Sequence, residues 1–140
     1  MSAWTSTELG KVGRADELEI RTRRRDGTLR SAVTIWVARV GDDLYVRSVN
    51  GRGSGWFRGT QARHEGRIHA GGVDKDVTFM DAEPNANDQI DRAYGEKYRR
   101  YAASIVNSVL TPQARAATLR LVPRESMPST SRRPASAGRR

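Results

Sequence analysis

Apolar and polar residues alternate along much of the first half of the chain, and this pattern predicts β-strands. Residues 17–22 alternate polar with apolar side chains, as a half-buried strand does. In residues 32–40 the side chains that would point to either face of a strand are mainly apolar, which is typical of a strand buried on both faces. We therefore expect this strand to be central in a sheet or barrel. After turn residues at 41–43, positions 44–49 resume an extended pattern.

Further turn signals divide the remaining strands. Asp26-Gly27 predicts a hairpin between the first strand and the central one. Residues 68–70 and 77–80 read as strands separated by Gly71-Gly72, and residues 119–122 as a final strand. The pattern predicts five or six strands in all.

Helix signals lie between and after these strands. Thr5 and Glu8 fit a capping box with Trp4 and Leu9 as a hydrophobic staple, which predicts a helix over residues 6–14. Residues 56–64 predict one or two helical turns that end by Gly66. Residues 85–110 predict one long amphipathic helix capped by Asn87, and Thr111-Pro112 begins a short helix through residue 117.

This order of elements indicates the fold class. Long alternation of strands and helices is absent, which argues against a doubly wound parallel sheet. We predict a mainly β (α+β) domain, a small antiparallel barrel with peripheral helices, over residues 1–124. Residues 125–140 are rich in Ser, Pro and Arg without apolar period, which predicts a disordered tail.

Composition narrows the function classes. The chain has 140 residues and no cysteine, which excludes disulfides, thiolate metal sites and thiol nucleophiles. No basic leader or membrane-length apolar run is present, so we expect a soluble cytoplasmic protein without membrane contact. His64 and His69 are five residues apart, which does not fit the helical spacing of a zinc protease, and we predict no metal site.

The net charge of +9 raises the question of nucleic-acid binding. Three of the 25 basic residues are lysines and the other 22 are arginines. Residues 21–30 contribute +4 and residues 125–140 contribute +3, so the rest of the chain is close to neutral. We expect Arg23–Arg25 to form a solvated hairpin rim, and nucleic acid is an unlikely partner.

The glycine-rich loop at residues 50–55 is the best candidate for binding an anion. Its three glycines leave backbone N–H groups free, and Arg47, Arg52 and Arg58 add positive charge. Trp56 follows the loop and could stack on a planar ring, whereas we expect Trp36 to lie in the core. The loop is neither a dinucleotide fingerprint nor a P-loop, so an ordinary connector is the alternative interpretation.

Several passages resemble a known superfamily. Residues 26–36 (DGTLRSAVTIW) and 40–48 (VGDDLYVRS) resemble the first strands of the flavin-binding split β-barrel proteins. These include pyridoxamine-phosphate-oxidase-like and deazaflavin-dependent nitroreductase-like branches. More closely, residues 17–124 resemble an uncharacterised bacterial family of that superfamily, through YVRSVNGRGSGW, RHEGRI, KDVTF and TLRLVPR.

The resemblance implies an antiparallel split β-barrel, often a homodimer, that holds the phosphate of FMN or a deazaflavin near the loop after the third strand. Ser48, Asn50 and Gly51 match the passage that contacts the cofactor, and Trp56 matches the aromatic residue that closes it. The Arg-Gly-Ser-Gly spacer at 52–55 departs from the deazaflavin branch, which carries a proline there.

Three functions therefore stand as hypotheses. The first is a flavin- or deazaflavin-binding oxidoreductase-like protein, in which the cofactor performs the chemistry and no catalytic side chain is assigned. The second is a non-enzymatic cofactor- or ligand-binding module on the same fold. The third, least favoured, is a nucleic-acid-binding protein that uses its arginine-rich segments.

Overall fold

A computed structural model describes residues 3–124, so the predicted tail at 125–140 lies outside the described residues. The elements follow in this order: α1 Ser6–Arg14, β1 Leu18–Thr22, β2 Val33–Ile35, β3 Val37–Val40, β4 Asp43–Arg47, α2 Gly55–Ala62, β5 Glu65–Ala70, β6 Val73–Asp81, α3 Asn87–Lys97, α4 Ala103–Asn107, α5 Pro112–Ala116 and β7 Thr118–Pro123. Single 3-10 turns at Gly51–Gly53 and Pro84–Ala86 precede α2 and α3. No helix in the described part of the chain is long and apolar enough to cross a membrane.

The seven strands form one antiparallel sheet in the order β2-β1-β5-β6-β7-β4-β3. The two end strands, β2 and β3, are adjacent in the chain and separated only by Trp36. One bent segment thus pairs with β1 through its first half and with β4 through its second half, which nearly closes the sheet into a barrel. The predicted mainly β antiparallel barrel with peripheral helices is confirmed.

The prediction of one central strand over residues 32–40 is wrong. The segment forms two short strands at the ends of the sheet, and β2 is largely exposed. Ile35 is opposite Leu18 of β1, while Val37, two residues later, is opposite Val46 of β4. An apolar run on both alternating sets also suits a strand that bends and changes partner, because each half then packs against different neighbours.

The barrel interior contains the main hydrophobic core, and α1 packs against it through Leu9 and Val12. The predicted capping box is confirmed: the Thr5 hydroxyl accepts from the Glu8 N–H at 3.1 Å, and the Glu8 carboxylate accepts from the Thr5 N–H at 3.0 Å. The buried Trp4 indole donates to the Leu121 carbonyl at 2.9 Å. The Trp4 hydrogen bond attaches the start of the N-terminal helix to the last strand.

A second core lies between α3 and the strand pair β3–β4, where Ala38 and Tyr45 pack with three side chains of the helical segment, Ile90, Tyr94 and Tyr98. This core fixes the position of α3 beside the bend at Trp36. The barrel and the C-terminal helical segment therefore meet where the bent strand changes partner.

The prediction of one helix over residues 85–110 is wrong. Helix α3 ends at Lys97, and α4 begins again at Ala103. The predicted cap also differs, because Ala86 precedes the helix without a side-chain cap and Asn87 is its first residue. Tyr98 turns inward to donate to the Asp16 carbonyl at 2.7 Å, and Ile105 is 48% exposed. The apolar spacing across residues 94–105 thus reflects two different packing surfaces.

Candidate functional site

The barrel is open where the bent segment leaves β4 at Trp36. Strand β3 pairs with β4 up to Val37 opposite Val46, and Trp36 then turns the chain toward β1. The continuation of β4 therefore has no strand partner on this side, and a cavity of about 430 Å³ fills the gap. We call it the aromatic cavity. It is lined by Val33, Thr34, Ile35, Trp36, Arg47, Ser48, Val49, Asn50, Ser54, Trp56, Ile105, Ser108 and Val109.

Apolar side chains surround the mouth of the aromatic cavity. Val33, Val49 and Ile105 are 36%, 43% and 48% exposed, and all three line the cavity. They are the majority of the five large hydrophobic side chains exposed in the described part of the chain. Clustered apolar surface of this kind marks a site for a ligand or another protein.

Trp36 forms the wall of this cavity where the bent segment changes partner. Its ring is stacked on Tyr98, with centroids 3.8 Å apart and planes within 3°. The Tyr98 hydroxyl accepts from the Val37 N–H at 3.3 Å, and burial raises the pKa of Tyr98, so this phenol is neutral at physiological pH. The expectation that Trp36 belongs to the core is met in part, because the ring packs on the second core yet lines the cavity.

A second cavity of about 640 Å³ adjoins the first and shares Val33 and Trp56 with it. We call it the arginine groove, because Arg24, Arg30 and Arg58 line it without any acidic residue. Within residues 3–124, neither Arg30 nor Arg58 makes an ion pair or a side-chain hydrogen bond. The groove therefore presents positive charge that no carboxylate of its lining neutralises.

Arginines on another side of the barrel are neutralised by carboxylates. A small cavity on another side contains Arg23, Arg63 and Arg124 together with two acids, Glu65 and Asp76. Each of these arginines is ion-paired with one of the two carboxylates. In that cavity the arginines are paired with carboxylates, whereas the arginine groove contains none.

The glycine loop is a fixed turn. The Ser48 and Ser54 hydroxyl oxygens lie 2.7 Å apart, and Ser54 caps α2 by accepting from the Phe57 N–H at 3.4 Å. Gly51 has φ +80°, and a Cβ there would lie 2.6 Å from the Gln113 side chain. Gln113 in turn donates to the Asn50 carbonyl at 2.8 Å. Because Gln113 lies in α5, this helix holds the glycine loop in position.

Arg47 lines the aromatic cavity but is occupied by protein partners. It is 2% exposed, and all five of its N–H donors have acceptors among the described residues. The acceptors are the Thr118 hydroxyl, the Asp91 carboxylate, the Val109 carbonyl, and the carbonyl and side-chain oxygens of Asn87. These contacts join β4 to α3, β7 and the segment after α4.

Arg52 lies outside both cavities. Its guanidinium donates to the Ala116 carbonyl at 2.9 Å and to Gln61 at 3.3 Å, and lies 3.7 Å from the Asp81 carboxylate. It also stacks over the Phe57 ring, 5.0 Å from the centroid. The contacts of Arg47 and Arg52 favour structural roles, and phosphate binding by either stays a prediction.

The predicted site residues are thus partly brought together. Arg47, Ser48, Asn50 and Trp56 line the aromatic cavity, Trp56 and Arg58 line the arginine groove, and Gly51 forms the turn beside them. Sequence reasoning missed Arg30 and Arg24 as groove residues, and Ile105 and Val109 as cavity residues. The excess of arginine over acid in residues 21–30 was the available signal for the first pair.

The described residues hold no cluster of three or more His, Cys, Asp or Glu side chains that could bind a metal ion. The chemical character of the site is instead that of two aromatic rings, an apolar mouth and an adjoining cationic groove. Such a combination suits a ligand with a planar apolar part and an anionic part.

Comparisons with known proteins agree with this fold. A family model described as "Uncharacterized protein conserved in bacteria (DUF2255)" matches residues 8–121. No curated protein matches the chain. A conserved hypothetical protein of Mycobacterium tuberculosis aligns with a TM-score of 0.62 at 13% identity, covering 89% of this chain and 83% of that one.

Two further solved structures carry descriptive names. An F420-H2 dependent reductase aligns with a TM-score of 0.56 at 14% identity, covering 76% of this chain and 93% of that one. A FAD-binding protein from Mesorhizobium loti aligns with a TM-score of 0.55 at 16% identity, covering 88% and 92%. At these identities the likeness establishes a shared fold.

Proposed function

The chain belongs to the bacterial family of uncharacterized proteins DUF2255, and we propose that it binds FMN or a deazaflavin and acts as an oxidoreductase. One observation carries this proposal: the opening of the barrel is an aromatic cavity that continues into a groove of three arginines without acids. The names of the structural neighbours, a reductase that uses F420-H2 and a FAD-binding protein, support the same class of cofactor.

The residues present fit the ring system of such a cofactor. Trp36 and Trp56 offer ring faces on which a planar heterocycle can stack. The cavity of about 430 Å³ lies within the roughly 300–1,000 Å³ range of small-molecule sites. Ser48 and Asn50 supply polar groups at its edge, which orient a heterocycle by hydrogen bonds.

The residues also fit the phosphate of the cofactor. Arg58 and Arg30 have no acidic partner within the described residues, and a guanidinium binds phosphate by two parallel hydrogen bonds. Both arginines line this groove together with Gly55 and Trp56 of the first turn of α2, where backbone N–H groups favour an anion. We assign the phosphate to this end of the groove, next to the fixed turn at Gly51.

When bound, the cofactor supplies the hydride chemistry, so the chain itself needs no nucleophile or metal. The side chains bind the cofactor, orient it and keep its ring out of water. Arg47 holds the floor of the site by joining β4 to α3, and Arg52 holds α2 against α5. The apolar mouth at Val33, Val49 and Ile105 is left for a second, weakly polar molecule.

Titration of the purified protein with FMN, a deazaflavin and riboflavin, followed by absorbance and fluorescence, tests the proposal. We expect FMN or the deazaflavin to bind, and riboflavin, which lacks the phosphate, to bind at least about tenfold more weakly. Failure of all three to bind would refute the proposal. Binding without turnover in the presence of reductants and acceptors would favour the non-enzymatic module.

The remaining alternative, a nucleic-acid-binding protein, is tested by measuring binding to duplex DNA at low salt. A nucleic-acid-binding protein would show affinity that falls steeply with salt. Homodimer formation and a cytoplasmic location also remain predictions.

A further inference from the structure

A further cavity, of about 440 Å³, is lined by residues of α1, β3 and α3 and shares none with the aromatic cavity or the arginine groove. It is lined by Gly13, Arg39, Ala93, Glu96, Lys97 and Arg99. Its charged groups are three cations and one carboxylate, so the cavity is cationic. None of these residues belongs to the proposed cofactor site.

Lys97 is held in a defined position at this cavity. Its half-buried side chain places Nζ 2.7 Å from the Val37 carbonyl, to which it donates a hydrogen bond, and 4.9 Å from the centroid of the Tyr98 ring. Burial lowers the pKa of Lys97 to about 8; Arg100 lowers the pKa further and Asp16 opposes the change. At neutral pH the neutral, nucleophilic form of this amine is therefore more populated than that of an exposed lysine, although the charged form still predominates.

Arg39 and Arg99 provide charge for an anion beside this amine. Neither arginine is ion-paired within residues 3–124, and Arg39 uses Nε on the Gly41 carbonyl at 2.8 Å. The other two lysines of the chain differ. Lys75 is ion-paired with Glu8 at 3.3 Å, and Lys11 is exposed on α1.

We propose that Lys97 is a site of covalent acylation by small acyl phosphates, whose phosphate group is held by Arg39 and Arg99. The neutral amine attacks the acyl carbon, a C–N bond forms, and the C–O bond to phosphate breaks. Inorganic phosphate leaves with that electron pair, and the amine proton passes to Glu96 or to water. The product is a neutral amide, so the side chain loses its positive charge.

This modification would reach the proposed cofactor site through two contacts. The Val37 carbonyl loses a charged donor, and the face of the Tyr98 ring loses its cation. Val37 directly follows Trp36, and Tyr98 is stacked on Trp36. Acylation of Lys97 therefore alters the support of an aromatic wall of the cavity. The acylation itself does not depend on the cofactor.

The experiment incubates the folded full-length protein with acetyl phosphate at neutral pH. Proteolysis and mass spectrometry then follow acetylation at each lysine with time. We expect Lys97 to be acetylated on the order of tenfold faster than Lys11, with Lys75 slower still. Acetylation of Lys97 no faster than that of Lys11 would show that burial only shields the amine, and would overturn the proposal.

A second arm tests the phosphate-holding role. Arg99 is exposed, so Arg99→Ala should leave the fold intact. It should slow acetylation of Lys97 by acetyl phosphate about threefold or more, but not by N-hydroxysuccinimidyl acetate, which carries no phosphate. Arg92→Ala, an exposed position on α3 that lies outside the cavity, is the matched control. Equal rates for Arg99→Ala and the parent protein with acetyl phosphate would overturn the assigned role.

Discussion

The rings of Trp36 and Tyr98 lie parallel within 3° and 3.8 Å apart, although 62 positions separate the two residues in the chain. Trp36 marks the bend at which one strand changes from β1 to β4, and Tyr98 marks the end of α3. The stack therefore fixes the wall of the aromatic cavity from outside the barrel. Its stability depends on the hydrogen bonds that hold the Tyr98 hydroxyl.

Tyr98→Phe should lower the free energy of unfolding by about 1–3 kcal/mol, because the buried Val37 N–H and the part-buried Asp16 carbonyl each lose a partner. Urea denaturation measures the change. The control is Tyr101→Phe, whose hydroxyl only accepts a 3.4 Å bond from Arg100 at the surface and should change stability by less than about 0.5 kcal/mol. Equal effects of both variants would contradict this account.

Arg58→Ala should weaken FMN binding by roughly 1.5–3 kcal/mol, on the order of tenfold to a hundredfold, because a charged hydrogen-bond donor to the phosphate is lost. Riboflavin binding should change little in this variant. Isothermal titration measures both ligands. Arg52→Ala is the matched control: it removes an arginine from the same stretch whose contacts point away from both cavities. Should Arg52→Ala lose more FMN affinity than Arg58→Ala, the phosphate is bound at the glycine loop.

Arg47→Met should destabilise the protein by about 3 kcal/mol, because Asp91 and several buried acceptors lose their shared donor. Arg115 remains as a partner of Asp91 at 3.3 Å, which keeps the loss from being larger. Urea denaturation without cofactor provides the measurement. A variant with parent-like stability but no FMN binding would instead make Arg47 a direct phosphate ligand.

Local features of the fold could be predicted from the sequence because they depend on residues close together in the chain. The capping box at Thr5 and Glu8, the hairpin at Asp26-Gly27 and the turn at Gly71-Gly72 are of this kind. The resemblance to the split-barrel superfamily added the fold class. The bend at Trp36 was missed, because the change of partner depends on strands β1 and β4 and on Tyr98.

The site was predicted less completely for the same reason. The glycine-rich loop predicts Arg52 as an anion ligand, because its neighbours in the chain offer the guanidinium no partner. The Phe57 ring and the Ala116 carbonyl, one of them 64 positions away, supply the missing partners. Arg30 lies far from Arg58 in the chain, and their side chains share one groove because the Arg30 N–H bonds to the Thr22 carbonyl of β1 while Gly59 of α2 packs against Thr22.

Gly66 in β5 illustrates a tight approach that the sequence did not reveal. A Cβ at this position would lie 2.2 Å from the Arg21 carbonyl oxygen and 2.7 Å from the Phe79 ring. Gly66→Ala should therefore cost about 1–3 kcal/mol of unfolding free energy through overpacking. Gly95→Ala, within α3 and with nothing within 4 Å of the new methyl group, should stabilise the protein by about 0.5–1 kcal/mol. Thermal denaturation of the two variants gives the comparison, and a stabilising Gly66→Ala would contradict it.

Lys97 should make stability depend on pH in the alkaline range. Burial lowers its pKa from 10.5 to about 8 in the folded protein, so between these values the unfolded chain binds the proton more tightly. The free energy of unfolding should therefore rise as pH increases from about 8 to about 10.5. The contribution is fully present above the upper value and is lost as pH falls through the lower one.

We expect this contribution to be roughly 1–2 kcal/mol, less than the full shift would give, because part of the side chain contacts solvent. The charged groups around the amine are Asp16, Arg39, Glu96, Arg99 and Arg100. The measurement is urea denaturation of the parent protein and of Lys97→Met across this pH range. Ionisation of Tyr94 and Tyr98 in the unfolded chain affects both proteins alike, so it cancels in their difference. A difference that stays flat with pH would contradict a lowered pKa for Lys97 in the folded protein.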